Sequence, residues 1–266
     1  DISLARAQLH WEPRVDVRDG LRTTIAWFRD RSTGAAPTAV PAQQAEPQPR
    51  HKVAVIGTGY VGAVTATCMA FLGHDVCGLD SDPVRAGRLR DGQVPFVEPG
   101  LPEILTSTLA SGRLRFTDDP ADALPDADYV FLCVGTPPGP DGAPDLEQLE
   151  GAIASLAPHL RPGAVIVNKS TVPVGSGNWT RTILEDALLG NRELSFAVVS
   201  NPEFLREGSA IDDFLYPDRI VLGGAAADVN RVAELYEPVL QQSFDGGRRE
   251  LAPALITTEL TSAEMI

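Results

Sequence analysis

The chain predicts an α/β fold in which helices cover both faces of a doubly wound parallel sheet. Three observations carry the prediction. From Lys52 onward, short apolar runs rich in β-branched residues alternate with amphipathic stretches, the order that parallel strands joined by helical crossovers require. Those runs are apolar nearly throughout, as strands buried on both faces are. A glycine turn, Gly57-Thr-Gly59-Tyr-Val-Gly62, joins the first run directly to a helical stretch.

Taken in order, residues 1–30 read as two short helices. Asp1 is a candidate N-cap, and Ile2, Ala5 and Leu9 share one face. Trp11-Glu-Pro13 breaks that helix, and 15–29 forms a second one bearing Leu21, Ile25 and Phe28. Two such helices bury too little surface to stand as a domain. Residues 31–50, rich in Ala, Pro and Gln without apolar period, read as a disordered linker. Strands are expected at 52–56, 75–80, 114–117, 128–134, 164–168, 196–200 and 219–223, with one more at 253–257. Helices are expected near 60–72, 83–91, 100–111, 145–159, 177–188 and 227–240. The sheet domain is thus 51–257, and 258–266 opens a further helix.

Bulk properties exclude some partners. A net charge of −14 and a pI near 4.6 disfavour nucleic acid and anionic membrane surfaces. No apolar run approaches the ~20 residues of a membrane span, and no secretory signal pattern is visible. Cys68, Cys77 and Cys133 lack metal-type spacing and read as small core residues, so no metal is expected and a reducing cytoplasm fits. His10, His51, His74 and His159 are scattered and read as structural or solvated.

The glycine turn carries the first functional reading. Gly57 permits the tight turn, Gly59 lets a pyrophosphate approach the backbone, and Gly62 lets the helix pack closely on the strand. The helix start then presents free N–H groups and a positive dipole end. Asp80 ends the second strand, where a carboxylate accepts hydrogen bonds from a ribose and repels a 2′-phosphate. Strand, turn, helix and acid together predict a Rossmann-like site for NAD rather than NADP, against a plain structural turn.

Three further motifs follow strands, where a doubly wound sheet places its ligand crevice. Thr136 and Pro137 end the 128–134 run. Ser170, Thr171 and Pro173 follow the 164–168 run, where hydroxyls beside a rigid proline suit a cofactor, a held water or an ordinary turn. In Asn201-Pro-Glu203-Phe204-Leu205-Arg206-Glu207, two carboxylates flank an apolar pair. If that segment is helical they share a face. One could then manage protons near a nicotinamide while the other holds its carboxamide. The plain alternative is a solvated helix start.

In combination these motifs resemble the N-terminal part of the UDP-glucose/GDP-mannose dehydrogenase family. The resemblance rests on the GTGYVG turn, Glu98-Pro-Gly-Leu101, Val134-Gly-Thr-Pro137, Lys169-Ser-Thr-Val-Pro-Val-Gly175 and Asn201 to Glu207. Pro217-Asp-Arg-Ile-Val221 and Ser262-Ala-Glu-Met265 match as well. The stretch Gly208 to Phe214 looks most like the UDP-glucose branch.

The resemblance implies a two-step oxidation of a sugar-nucleotide C6 alcohol with two NAD, through an aldehyde and a cysteine thioester to a carboxylate. It implies that Gly57, Gly59, Tyr60, Val61, Gly62, Asp80 and Arg85 hold the adenosine half of NAD. Thr136 and Thr171 would meet the nicotinamide side, and Thr171 could position a water. Glu203 would be the acid/base carboxylate and Glu207 an NAD contact. Residues Glu203, Phe204, Leu205, Arg206 and Glu207 would meet the UDP-sugar.

Two departures are mild: Val97 stands where tyrosine is usual, and Ser176 where threonine is common. The family's nucleophilic cysteine, in a Gly-Gly-Ser-Cys context, is not in the sequence, nor is its catalytic lysine. The piece as given is therefore expected to be inactive, and its parent a homo-oligomer paired through the family's central helix. Separately, Asp1 to Pro13 with Gly20-Leu21 and Ile25 to Phe28 resembles the last helices of extended short-chain dehydrogenases, UDP-glucuronate decarboxylases and 4-epimerases in flavour. That resemblance implies a bifunctional parent. The competing readings are a non-catalytic NAD module and a dehydrogenase for another sugar nucleotide.

Overall fold

A computed structural model describes Arg18, Asp19 and Arg22, and residues 50–136, 145–188 and 195–266. The chain divides into two units, Asp1–Gln43 and Gln44–Ile266. In the first, Arg18, Asp19 and Arg22 are helical, and Arg22 pairs with Asp19 at 3.1 Å. The remainder of the expected helices within 1–30, the 31–49 part of the linker and Pro137 lie outside the described residues.

The second unit is built on an eight-stranded sheet. Its strands are β1 (Lys52–Ile56), β2 (Asp75–Leu79), β3 (Leu114–Thr117), β4 (Tyr129–Leu132), β5 (Ala164–Asn168), β6 (Phe196–Ser200), β7 (Arg219–Gly223) and β8 (Ala254–Thr258). They lie in the order β3-β2-β1-β4-β5-β6-β7-β8. The order reverses between β1 and β4, which opens a crevice at the carboxyl edge there. Alternate residues feed two cores. Val53 and Val55 face one, Ala54 and Ile56 the other. Burial on both faces is why the strands read as unbroken apolar runs.

The helix α1 (Tyr60–Phe71) is buried on nearly every side from Gly62 to Ala70. Its small residues let it lie between the sheet and two further helices, α3 (Leu101–Ala110) and α7 (Ala210–Leu215). A helix apolar all round belongs in such a place. Between them α2 (Pro83–Arg90) starts on Asp82, whose side chain accepts from the Val84 and Arg85 amides. On the opposite face lie α5 (Glu147–Leu156) and α6 (Ser176–Ala187).

Several elements differ from expectation. A four-residue helix, α4 (Pro120–Ala123), is too short to show a period; Asp119 caps it through the Ala121 amide. The stretch expected at 145–159 ends as a 3₁₀ turn at Ala157–His159, where Pro158 stands. The stretch expected at 227–240 divides at Tyr236 into α8 (Ala226–Leu235) and α9 (Glu237–Leu240), with Pro238 at the break. A final short helix, α10 (Leu260–Ala263), follows β8.

The sheet is also not parallel throughout: β7 runs antiparallel to β6, and β8 then runs parallel to β7. The 201–218 connection explains this. It holds only the short α7, packed on α1, so the chain turns back down β7 without a full crossover. A parallel return would have carried this connection to the far end of the sheet. Instead it stays at the carboxyl edge. Asn201 secures the turn: its N–H donates to Asn168 O at 2.8 Å and its amide to Val221 O at 3.0 Å.

Candidate functional site

Gly57, at φ +83°, makes the turn that ends β1, and its N–H donates to Leu79 O at 2.8 Å. A Cβ on Gly62 would lie 1.8 Å from Gly57 O, so α1 presses on the turn backbone to backbone. A Cβ on Gly59 would meet nothing within 4 Å. Gly59 is the N-cap of α1, where no side chain caps the first turn and no acid stands in it. An open space in front of uncapped amides is the cradle that a pyrophosphate needs. Val61 is half-buried and packs on the core behind the turn.

Asp80 is 3% exposed at the tip of β2. Its Oδ2 accepts from the Thr58 N–H at 2.8 Å and the Thr58 hydroxyl at 2.9 Å; its Oδ1 accepts from the Asp82 N–H at 3.0 Å. Arg85 reaches both oxygens, at 3.2 and 3.0 Å. Burial alone would raise the pKa of Asp80, but these donors outweigh it and hold the carboxyl below its usual value. The acid is therefore a fixed negative charge. Arg85 lies against it with a half-buried guanidinium.

Thr136 and Thr171 come together: the Thr136 hydroxyl donates to Thr171 O at 2.6 Å. Ser170 ties the same loop to the end of β4 and the residues after it, its hydroxyl lying 3.2 Å from Leu132 O and 2.8 Å from Val134 O. The hydroxyl of Thr136 is thus used internally, and Thr171 is exposed.

The 201–206 segment is irregular, so Glu203 and Glu207 do not share a helical face as a helix would have them do. Asn201 ties the start of the segment to Asn168 O and Val221 O, and the chain becomes helical only at Ala210. The Glu203 carboxylate accepts from the Leu205 N–H at 2.6 Å, and Glu207 stands exposed. Arg206 pairs with Asp213 at 2.6 Å, and Arg219 stacks on the Phe204 ring at 4.7 Å. Leu205 is half-buried against the core.

Tyr60 is turned from the cradle towards this segment. Its ring packs on Phe96 at 4.9 Å, and its hydroxyl donates to Glu98 and lies 3.3 Å from Arg206 O. Burial, and then Glu98, push the Tyr60 pKa up.

The sequence offered no local signal for three residues beside the site. Glu98 is buried beneath Tyr60. Glu264 accepts from the Gly175 N–H at 2.6 Å and the Gly177 N–H at 2.7 Å, capping α6 from a distant part of the chain. Lys169 is 5% exposed, and its ammonium donates to Asn201 Oδ1 at 3.3 Å. Burial pushes the Lys169 pKa down, with Glu203 among the groups pulling it back. All three stand in motifs that carried the resemblance, yet each partner comes from a remote stretch.

Cys68, Cys77 and Cys133 are buried free thiols. Burial raises all three, Cys77 to about 11 and Cys133 to about 12, so none is a ready nucleophile. His51 and His74, apart in sequence, stack at 5.5 Å beside Tyr129, away from the crevice. Among the described residues no helix is long and apolar enough to cross a membrane.

Comparison with known proteins agrees with this geometry. The profile of the UDP-glucose/GDP-mannose dehydrogenase family, NAD binding domain, matches residues 51–240. The UDP-glucose 6-dehydrogenase of Pseudomonas aeruginosa is 45% identical over 204 residues, covering 75% of this chain and 45% of that protein. Its counterpart from Rhizobium meliloti is 44% identical over 218 residues, covering 79% of this chain and 47% of that one. A UDP-glucose dehydrogenase from Pyrobaculum islandicum superposes with a TM-score of 0.74 at 35% identity, covering 84% of this chain and 50% of that one. A GDP-mannose dehydrogenase from Pseudomonas aeruginosa gives 0.71 at 33%, over 80% and 48%. The chain spans about half the length of the curated relatives it matches. With an open glycine cradle, a buried acid at the tip of β2 and these matches, the chain belongs to the UDP-glucose/GDP-mannose dehydrogenase family and carries its NAD-binding domain.

Proposed function

We propose that this chain is the cofactor-binding and acid/base portion of a UDP-glucose 6-dehydrogenase, which oxidises UDP-glucose to UDP-glucuronate in the cytoplasm. The observation that carries the reading is the convergence at one sheet edge of the Gly57–Gly62 cradle, Asp80, the Thr136–Thr171 pair and the Glu203–Glu207 segment. The UDP-glucose branch is favoured because the relatives at 44–45% identity carry that name.

NAD, when bound, would accept the hydride leaving the sugar C6. The amides from Gly59 to Gly62 would face its pyrophosphate. Asp80, kept ionised by Thr58 and Asp82, would take the ribose hydroxyls, with Arg85 beside it on the adenosine half of NAD. Thr171, its carbonyl held by Thr136, would present its hydroxyl to the nicotinamide side or to a water. Glu203 would exchange its Leu205 N–H contact for the substrate's proton traffic, and Glu207 would meet NAD. Residues 204–206 would line the path of the UDP-sugar. Cys68, Cys77 and Cys133 are sealed in the core and cannot supply the thiolate for thioester formation. The resemblance of residues 1–30 to the closing helices of extended short-chain dehydrogenases supports a parent in which two sugar-nucleotide activities are joined.

Calorimetric titration of the chain with NAD⁺ and NADP⁺ tests the reading. NAD⁺ should bind and NADP⁺ should bind at least ~10-fold more weakly, a difference of about 1.4 kcal/mol. Equal or tighter NADP⁺ binding overturns it. Mixed with UDP-glucose and NAD⁺, the chain by itself should form no NADH.

A further inference from the structure

Glu98 stands outside every role assigned above, yet its carboxylate is where three remote segments meet. It is 3% exposed, on the loop between α2 and α3. Its Oε2 takes the Tyr60 hydroxyl from the first residue of α1, and the Gly208 N–H at 2.8 Å. Its Oε1 takes the Ala210 N–H at 2.8 Å. The carboxylate thus holds, through Oε2, the helix that opens on the dinucleotide cradle. Through both oxygens it holds the backbone immediately after Glu203–Glu207. Tyr60 is the neighbour of Gly59, so a ligand seated on the cradle bears on the residue that grips Glu98. The irregular 201–206 segment has no helix or strand of its own to fix it. Asn201 anchors the start of the segment to β5 and β7, while its far end is tied to α1 through this carboxylate and Tyr60.

We propose that Glu98 is a positioning residue that transmits occupancy of the dinucleotide cradle to the 203–210 segment, ordering Glu203 and Glu207 when the cofactor is bound. The proposal rests on the NAD reading above. Coupling of this kind is reciprocal and ordinarily amounts to 5–150-fold. A carboxylate suits the role because it accepts from three donors at once. An amide of the same shape turns one acceptor into a donor facing those donors.

Hydrogen exchange of the chain, with and without saturating NAD⁺, provides the test. In the wild-type chain NAD⁺ should slow exchange of the 205–210 amides by roughly 5–150-fold. In Glu98→Gln that NAD⁺-dependent slowing should vanish, while protection across β1, β4 and β5 persists. Tyr60→Phe, read at saturating NAD⁺, removes the hydroxyl that Glu98 accepts from α1 and with it the long contact from the Gly208 N–H. It should also lose the slowing, yet keep the wild-type exchange of Ala210, whose N–H Glu98 still accepts, without NAD⁺. Retained slowing in either variant overturns the proposal. So does loss of protection throughout the sheet in both, which would make the contact a general brace. A wild-type chain that binds NAD⁺ with 205–210 unresponsive overturns this inference alone. A wild-type chain that does not bind NAD⁺ overturns the functional reading and this inference with it.

Discussion

Gly59 and Gly62 sit on the same turn but should respond to alanine in opposite ways. Gly59 has φ −64° and ψ −157°, a backbone open to any residue, and its added Cβ meets nothing within 4 Å. As an N-cap change, Gly59→Ala should cost about 0.5–1 kcal/mol of stability. For a domain of this size that is about 1–4 °C in Tm. The new methyl, however, occupies the space through which a pyrophosphate approaches, so NAD⁺ affinity should fall by at least ~10-fold. Gly62→Ala gains about 1 kcal/mol of helix propensity. Against that, its Cβ would lie 1.8 Å from Gly57 O and 2.9 Å from the Gly57 carbonyl carbon. Both are backbone atoms, so no side chain can yield, and α1 must back off the turn. Overpacking costs about 1–3 kcal/mol and occasionally more. With the overlap against backbone placing the cost at the top of that range, a net loss of ~2 kcal/mol corresponds to about 4–8 °C in Tm. Thermal unfolding by circular dichroism and NAD⁺ titration of both variants separate the two effects. Unchanged NAD⁺ affinity in Gly59→Ala would show that the cofactor does not pass over Gly59. An unchanged Tm in Gly62→Ala would refute the close packing of α1 on the turn.

Three other outcomes follow from the geometry. Asp80→Asn should shift the NAD⁺/NADP⁺ preference towards NADP⁺ by ~10-fold or more, read by titration with both, because the charge opposing a 2′-phosphate is gone. Asp80 has a lowered folded pKa, so its stabilisation is complete above the unfolded value of ~3.9 and is lost as pH falls through the folded value. Acid unfolding of Asp80→Asn should therefore be less steep below pH ~4. Glu264→Ala leaves the Gly175 and Gly177 amides without their charged acceptor. It should cost about 2 kcal/mol, or ~4–8 °C in a melting curve. Lys169 has a folded pKa lowered by burial, so it detracts from stability below that value, and the deficit disappears as pH rises through it towards ~10.4. Lys169→Met should abolish this rise in denaturant midpoint on the alkaline side; a persistent rise would place its origin elsewhere.

The strands were legible because each is buried on both faces and so writes a continuous apolar run, as Val130 to Leu132 and Ala164 to Val167 do. The glycine spacing was legible because the turn's demands are local: a positive φ at Gly57 and a missing Cβ at Gly62 concern neighbours a few residues apart. Short helices such as α4 and α7 were not legible, since four to six residues cannot display a period. The breaks at Pro158 and Pro238 carried a signal that a wide apolar pattern masked.

The sequence by itself thus determined the α/β class, the strand-turn-helix at Gly57–Gly62, the acid at the tip of β2 and the segments that end on the crevice. These depend on periods and spacings that the chain carries locally. Only the tertiary structure decided the antiparallel β7 that keeps 201–218 at the carboxyl edge. The same holds for the Thr136–Thr171 contact, the Arg85 guanidinium across Asp80, and the Glu98 and Glu264 carboxylates that hold backbone from distant stretches. A hydrogen bond between residues a hundred positions apart leaves no pattern along the chain. Its geometry exists only once the sheet has brought the two stretches to the same edge.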